Sequence, residues 1–456
     1  MNCNNPPDDL KIYELSLIWK EATYNFAFWN KLAPTLDWDK AYRAAIPAVL
    51  KTQNLYEYYL ELMKFTALLR DGHSGVDFPQ AIKDSAEFAS KLPIKIIYSG
   101  GNYVISNVKK CANEQVKRWS IIKKINGIDI EKHIEENIFP YIWHEKIDSA
   151  QYWIYEFLSW GKNGSQVELE LEHDGQCYTV ELTRTKGDAN WVYPWQPLQA
   201  AEALQMIHKS GSHQISLTYD NISVITIDTF MDNNLPDAFY ANFPLLEKAK
   251  GYVIDIRNNG GGNSSNADAI AACFIKEGFA NHRALQPVHS GPYKAWGKNM
   301  MLDEMSLEEA KAQYGDSDWL EKTYHITHQS YFEISEYNYE DCHEIPGRLD
   351  KPLILLTTAN TASASEDFLI TLEHTKRATF VGTASCGTTG QPLTIELESG
   401  GTVRICTRQN THIDGREFIN IGVLPHVKFE PSLEDLAQNI DTHLAKGLEV
   451  LRQKIH

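Results

Sequence analysis

The sequence predicts a multi-domain α/β protein, and three changes of pattern along its 456 residues carry that prediction. Up to about Leu69 the positions Tyr56, Tyr59, Leu60, Met63 and Ala67 recur at helical spacing, with Pro34 and Pro47 as punctuation. From Leu92 the period falls to two. Beyond Gly187, short apolar runs alternate with helical stretches, which is the pattern of an α/β sheet. The expected division is a helical unit over residues 1–90, a β-rich module over 91–186, and an α/β core over 187–456 with an inserted segment near 300–346.

The helical pattern ends at Leu68-Leu69-Arg70-Asp71-Gly72-His73-Ser74-Gly75-Val76, where an extended segment opens. A histidine in a Gly-flanked turn sits where catalytic groups are commonly carried, although a surface or core histidine would read the same. In the β-rich stretch, Ile94, Ile96 and Tyr98 alternate before Ser99-Gly100-Gly101-Asn102, and Ile121 to Ile125 runs into the turn pair Asn126-Gly127. Val167, Leu169 and Leu171 alternate up to Asp174-Gly175, and Tyr178, Val180 and Leu182 return as the second arm of a hairpin. In the core, strands are predicted at Ile222 to Ile227, Tyr252 to Ile256, Leu353 to Thr357 and Thr379 to Val381. The acidic and aromatic segment from Met300 to Pro346 reads as a lid, an oligomer contact or an ordinary surface elaboration.

Two of these strands end in turns of unusual composition. Leu353 to Thr357 breaks into Ala359-Asn360-Thr361-Ala362-Ser363-Ala364-Ser365-Glu366 before a helix. A buried strand turning sharply into a helix through small residues lifts one hydroxyl into a cleft beside backbone N–H groups, as a serine nucleophile requires. Ser363 with Glu366 also spells an ordinary capping box. Tyr252 to Ile256 meets Asn258-Asn259-Gly260-Gly261-Gly262, followed by a helix of small residues. Glycines there allow N–H groups to face a developing oxyanion; a phosphate-binding or simple tight turn is the alternative, but neither Walker lysine spacing nor GxGxxG is present.

Composition suits a large enzyme, with 43% hydrophobic and 11% aromatic residues to fill several cores. The 43 basic and 60 acidic residues give a formal charge of −17 without a basic cluster, which argues against nucleic-acid partners. Seven cysteines, widely spread and with no CxxC pair, point to reduced thiols and to neither a disulfide framework nor a zinc site; no cofactor is expected. The first residues carry no signal-peptide pattern and no stretch reaches membrane-spanning length, so a cytoplasmic location is expected as written, or an extracytoplasmic one if an export signal has been removed.

Taken together, DIRNNGGG, the TASASE turn, Leu69-Arg70-Asp71-Gly72-His73 and Gly422-Val423-Leu424-Pro425 resemble the C-terminal processing (tail-specific) peptidases and the tricorn core protease, a family of serine endopeptidases. The resemblance covers nearly the whole chain. It implies a crotonase/ClpP-like protease core, a PDZ-like module over 91–186, and a peptide or unfolded-protein substrate, with homo-oligomerisation possible in principle. It also implies Ser363 rather than Ser365 as nucleophile, with an oxyanion hole from Ala364 and the Gly260-Gly261 turn. One branch of the family uses a Ser-Lys dyad, but Thr388 occupies the expected lysine place. The tricorn-like branch uses an N-terminal histidine, which makes His73 the base.

The residues supporting that base depart from the family pattern. Ile419 fills the expected acid position, and Glu417, two residues earlier and on the same face of a strand, becomes the candidate orienter, with an exposed hairpin glutamate as the alternative. Gly72 precedes the histidine where a hydroxyl is expected, Ser74 follows it as possible support, and His426 stands where relatives carry an acid. Two other functions fit the residues: a catalytically silent ligand- or peptide-binding relative, and a crotonase-type acyl-thioester enzyme with paired Gly-rich oxyanion turns.

Overall fold

The computed structural model describes residues 4–85, 87–112, 115–142, 147–186, 190–193, 198–275, 279–339 and 345–455. At its centre lies a seven-stranded sheet in the order Gln205–Lys209, His213–Leu217, Ser223–Ile227, Tyr252–Asp255, Leu353–Thr357, Thr379–Gly382, Val427–Lys428. The first two pairings are antiparallel and the remaining four parallel. The middle strands read as continuous apolar runs because both faces are covered, as parallel sheets demand. On one face Val253, Ile354, Leu356 and Val381 pack beneath Leu444, Leu448 and Leu451 of the helix Thr442–Ile455. On the other, Ile254 and Leu355 share a core with Ile270 of the helix Ser264–Ala272 and Phe368 of the helix Ala364–His374. Asp255 pairs with Leu356, so the two strands end side by side and their following turns open on the same edge. In open α/β sheets that carboxyl edge is where ligands bind.

The N-terminal helices Asp8–Asn25, Trp38–Lys51 and Leu55–Ala67 do not close a core of their own. Leu15, Ile18, Tyr58 and Leu62 belong to the same apolar cluster as Val403, Ile405 and Phe418 of the α/β part. Polar contacts reinforce the junction: the buried Glu14 carboxylate accepts from the Ser399 N–H and hydroxyl, and from the Tyr58 hydroxyl. The strand Gly75–Asp77 then pairs antiparallel with Thr402–Cys406, Gly75 opposite Arg404, which stitches the His73 turn onto the core. Pro47 does not punctuate as predicted; the helix Trp38–Lys51 runs through it. The proline faces solvent, where the carbonyl it deprives of a partner can be hydrated.

Residues 92–182 hold a separate apolar core. Its sheet runs Ile94–Ser99, Asn102–Val108, Ile121–Ile125, Gln166–His173, Gln176–Thr183, with the short Ile128–Asp129 beside Ile121–Ile125. Both turn dipeptides read from the sequence adopt the left-handed backbone of type I′ hairpins, Asn126 and Gly127 at φ 50° and 75°, Asp174 and Gly175 at 51° and 73°. In the inserted segment the helices Leu307–Tyr314 and Asp318–Thr327 enclose a small core of Leu302, Ala310 and Leu320, and the strands Phe279–Pro287 and Phe332–Tyr339 that flank it in sequence pair antiparallel. No described helix is long and apolar enough to cross a membrane. Cys111, Cys177, Cys273, Cys386 and Cys406 are free thiols, while Cys3 and Cys342 lie outside the described residues.

Candidate active site

Three turns meet at the carboxyl edge of the sheet. The buried Asn259 ties two of them: its side-chain amide donates to the Ile227 carbonyl at 3.1 Å, and its Oδ1 accepts from the Gly261 N–H at 2.9 Å. Its backbone carbonyl accepts from the Ala362 N–H and from the Ser365 hydroxyl across the cleft. The third turn joins through the Cys386 N–H, which donates to Thr361, and the Thr388 carbonyl, which accepts from the Ser363 N–H at 2.9 Å. Gly261, at φ +100°, abuts the serine; a Cβ there would sit 2.6 Å from Ser363 Cβ. Only glycine satisfies both the backbone conformation and the close approach.

Ser363 itself has φ 55° and ψ −124°, a strained conformation for a residue with a side chain, at the sharp passage from the strand Leu353–Thr357 into the helix Ala364–His374. Its Oγ lies 3.3 Å from His73 Nε2. The other ring nitrogen, Nδ1, lies 2.5 Å from Thr388 Oγ1. Residues 73, 363 and 388, remote in sequence, thus form one hydrogen-bonded line. Gly72 is explained by the same packing, since a Cβ at that position would come within 2.8 Å of Thr388 Oγ1. The N–H groups of Gly260 and Ala364 find no acceptor among the described residues.

Two buried carboxylates hold the backbone of this line. Glu366 accepts from the Ser385 hydroxyl and the Gly387 N–H on one oxygen, and from the Thr388 and Ser363 N–H groups on the other. Burial pushes its carboxyl up to about 7, against the pull of those four donors. Asp71 accepts from the Ser74 hydroxyl at 2.7 Å and the His73 N–H at 3.2 Å; burial raises it to about 6. Burial, joined by repulsion from the Arg404 guanidinium, lowers the His73 imidazole to about 4. The half-buried ring is therefore neutral at pH 7, as a proton acceptor must be.

The arrangement corrects several sequence expectations. Glu417 does not orient His73: its exposed carboxylate pairs with Lys31 at 2.9 Å, and both ring nitrogens of His73 are engaged elsewhere. The premise fails locally, because residues 416–418 are not in a strand. Ser74 touches Asp71 and accepts from the Cys406 N–H, so it braces the turn and not the imidazole. The Gly261 N–H is occupied by Asn259, leaving Gly260 and Ala364 with free donors. His426 Nδ1 accepts from the Phe380 N–H within the sheet. Glu366 does reach back to the Ser363 N–H as in a capping box, while the Ser363 hydroxyl turns to His73. Thr388 and Asn259 were missed as functional, although each stood in view, one at the place of a missing lysine and the other inside Asn-Asn-Gly-Gly.

Residues 221–429 match Peptidase family S41. The carboxy-terminal-processing protease of Bartonella bacilliformis is 25% identical over 201 residues, 44% of this chain and 36% of that protein. The carboxy-terminal processing protease CtpA of Bacillus subtilis is 25% identical over 235 residues, 48% of this chain and 40% of that protein. The match thus spans well under half the length of these relatives. Among solved structures, mature CPAF complexed with lactacystin aligns over 98% of this chain and 99% of its own, with a TM-score of 0.71 at 14% identity, a likeness of fold.

Proposed function

We propose that this chain, whose residues 221–429 match Peptidase family S41, is a serine endopeptidase that cuts peptide bonds through an acyl-enzyme, with Ser363 as nucleophile and His73 as base. The observation that carries this reading is the line from Ser363 Oγ through the imidazole to Thr388 Oγ1, at 3.3 and 2.5 Å. For Nε2 to take the serine proton, Nδ1 must hold the other hydrogen, and Thr388 Oγ1 is its acceptor. The alkoxide attacks the substrate carbonyl; the free N–H groups of Ala364 and Gly260 are the donors available to the oxyanion, each of a kind that contributes about 10²–10³ in rate. His73 then protonates the leaving amine, and water completes hydrolysis by the same base.

The mostly parallel central sheet with its two edge turns supports a crotonase-like reading of the core, and the hairpins with a separate core over 92–182 support a PDZ-like reading of the module, which would form one wall of the substrate path. The test is labelling by a fluorophosphonate probe. Labelling should vanish in Ser363→Ala and persist in Ser365→Ala, whose parent hydroxyl is committed to Asn259. Labelling that survives Ser363→Ala removes the assignment. His73→Ala should slow peptide hydrolysis by about 10²–10⁴ without unfolding the chain.

A further inference from the structure

We propose that the cleft between the β-rich module and the central sheet carries a subsite for an acidic substrate side chain, an Asp or Glu carboxylate held by Arg118 and Lys95. The cleft has a volume of about 760 Å³, and Asn258 and Asn360, from the two turns that carry Gly260 and Ser363, line one part of it. On the module side stand Lys95, Ser106, Arg118 and Trp119. The inference rests on the peptidase reading for the identity of the ligand as a peptide.

Arg118 is built in place without a counterion among the described residues. Its Nε donates to the Ser106 carbonyl at 2.7 Å, and its guanidinium carbon lies 4.5 Å from the Trp119 ring centre and 4.8 Å from that of Tyr193. The Tyr193 backbone is anchored in turn, since its carbonyl accepts from the Asn107 side-chain amide at 2.8 Å. Trp119 adopts φ 70°, a left-handed backbone that a bulky side chain takes only under constraint. A guanidinium fixed at Nε and lying over two aromatic rings loses little freedom when its remaining N–H groups take a carboxylate. Lys95 is tied to the same strand, because the Ser106 hydroxyl donates to its carbonyl. Among the described residues neither cation has a carboxylate partner.

The rest of the cleft does not neutralise them. Its two lining acids, Asp255 and Asp441, are both held by Arg257. The lining His443 is buried and pushed towards its neutral form by that burial. Two cations with no carboxylate partner among the described residues, in a chain of formal charge −17, mark this cleft as a place for a negative group. Capture of a chain terminus uses nests of backbone N–H groups, whereas the donors here are side chains in a cleft wall, which favours an acidic side chain of the substrate.

The test uses the full chain carrying Ser363→Ala and fluorescein-labelled short Ser/Ala peptides with one Asp moved through every position, against the same peptides with Asn, each as free acid and as amide. Anisotropy titrations should show the best Asp peptide binding about ten- to hundredfold tighter than its Asn twin. That preference should disappear in Arg118→Gln, shrink in Lys95→Gln and weaken with salt. Equal binding of the twins, a preference that survives Arg118→Gln, or a preference lost on amidation alone overturns the proposal. Turnover of a neutral peptide by the parent chain is followed in parallel: its absence with the Asp preference intact removes the peptidase reading and leaves the subsite standing.

Discussion

Replacing Thr388 by valine removes the hydroxyl that faces His73 Nδ1 and puts a methyl in its place. The Oγ1 atom stands 2.5 Å from Nδ1, whereas a methyl carbon needs about 3.5 Å or more, so the ring is pushed off its position against Ser363, already at 3.3 Å. The Nδ1 hydrogen also loses its acceptor in a half-buried setting, at a cost of about 1–3 kcal/mol. If that cost falls on the proton-transfer step, kcat drops about 5- to 150-fold. Thr388→Ser keeps the hydroxyl and should restore most of the rate. Initial-rate measurements on a peptide substrate, with KM determined separately and folding checked by a thermal melt, decide the matter. A valine variant with kcat within twofold of the parent, or one changed in KM alone and not rescued by serine, refutes the role of Thr388 as the residue that positions the base.

The pH profile follows from the burial of His73. Its pKa is lowered, so the protonated, inactive ring prevails only below about 4, and kcat/KM measured from acid to neutral pH should lose half its plateau near that value, not near 6.5. Because the unfolded chain takes up this proton first, His73 also lowers stability as pH falls from 6.5 towards 4, a contribution that His73→Gln removes from an acid titration of the melting temperature. Glu417→Gln should leave kcat unchanged and shift stability by less than about 1 kcal/mol in a denaturant titration, since it breaks only an exposed ion pair with Lys31. Glu366→Gln should destabilise by roughly 3 kcal/mol in the same assay, because one oxygen becomes a donor facing two donors worth about 1.5 kcal/mol each. Gly261→Ala, with its new Cβ 2.7 Å from the Ala362 carbonyl and 2.6 Å from Ser363 Cβ, should cut fluorophosphonate labelling by at least about 10²-fold while far-UV circular dichroism is retained.

What the sequence disclosed was local. The strands Tyr252–Asp255 and Leu353–Thr357 and the hairpin between Gln166–His173 and Gln176–Thr183 announce themselves by apolar runs, alternation and Asp-Gly turn chemistry, all readable within ten residues. The turns that carry Ser363 and the Gly260-Gly261 pair were legible for the same reason, as small residues just past a buried strand. His73 needed more, because only the pairing of Gly75–Asp77 with Thr402–Cys406 brings its turn to the sheet edge, and no local pattern encodes that pairing. The helical unit's shared core was hidden similarly, since Leu15 and Tyr58 look equally apolar whichever surface they bury against. The hydroxyl partner of His73 was sought beside it in sequence, at Ser74, whereas the fold supplies one 315 residues away.

The position of the acids gives the site its character. In a Ser-His-Asp arrangement the carboxylate touches the imidazole, fixes its tautomer and stabilises the cation formed during proton transfer. Here two buried carboxylates beside the line, Glu366 and Asp71, accept from backbone N–H groups of Ser363, Thr388 and His73 and leave Nδ1 to a neutral hydroxyl, while the charge of a third, Asp367, favours the imidazolium without a hydrogen bond to the ring. Glu366 and Asp71 therefore fix the geometry of the turns more than they stabilise an imidazolium. A ring held at about 4 and supported by a hydroxyl is a weak base, ionised with difficulty, and it remains available down to acid pH. Under the proposed mechanism such a base needs the oxyanion well held at the same moment, so the Gly260 and Ala364 N–H groups beside Ser363, which have no acceptor among the described residues, are expected to carry more of the rate than the Thr388 hydroxyl.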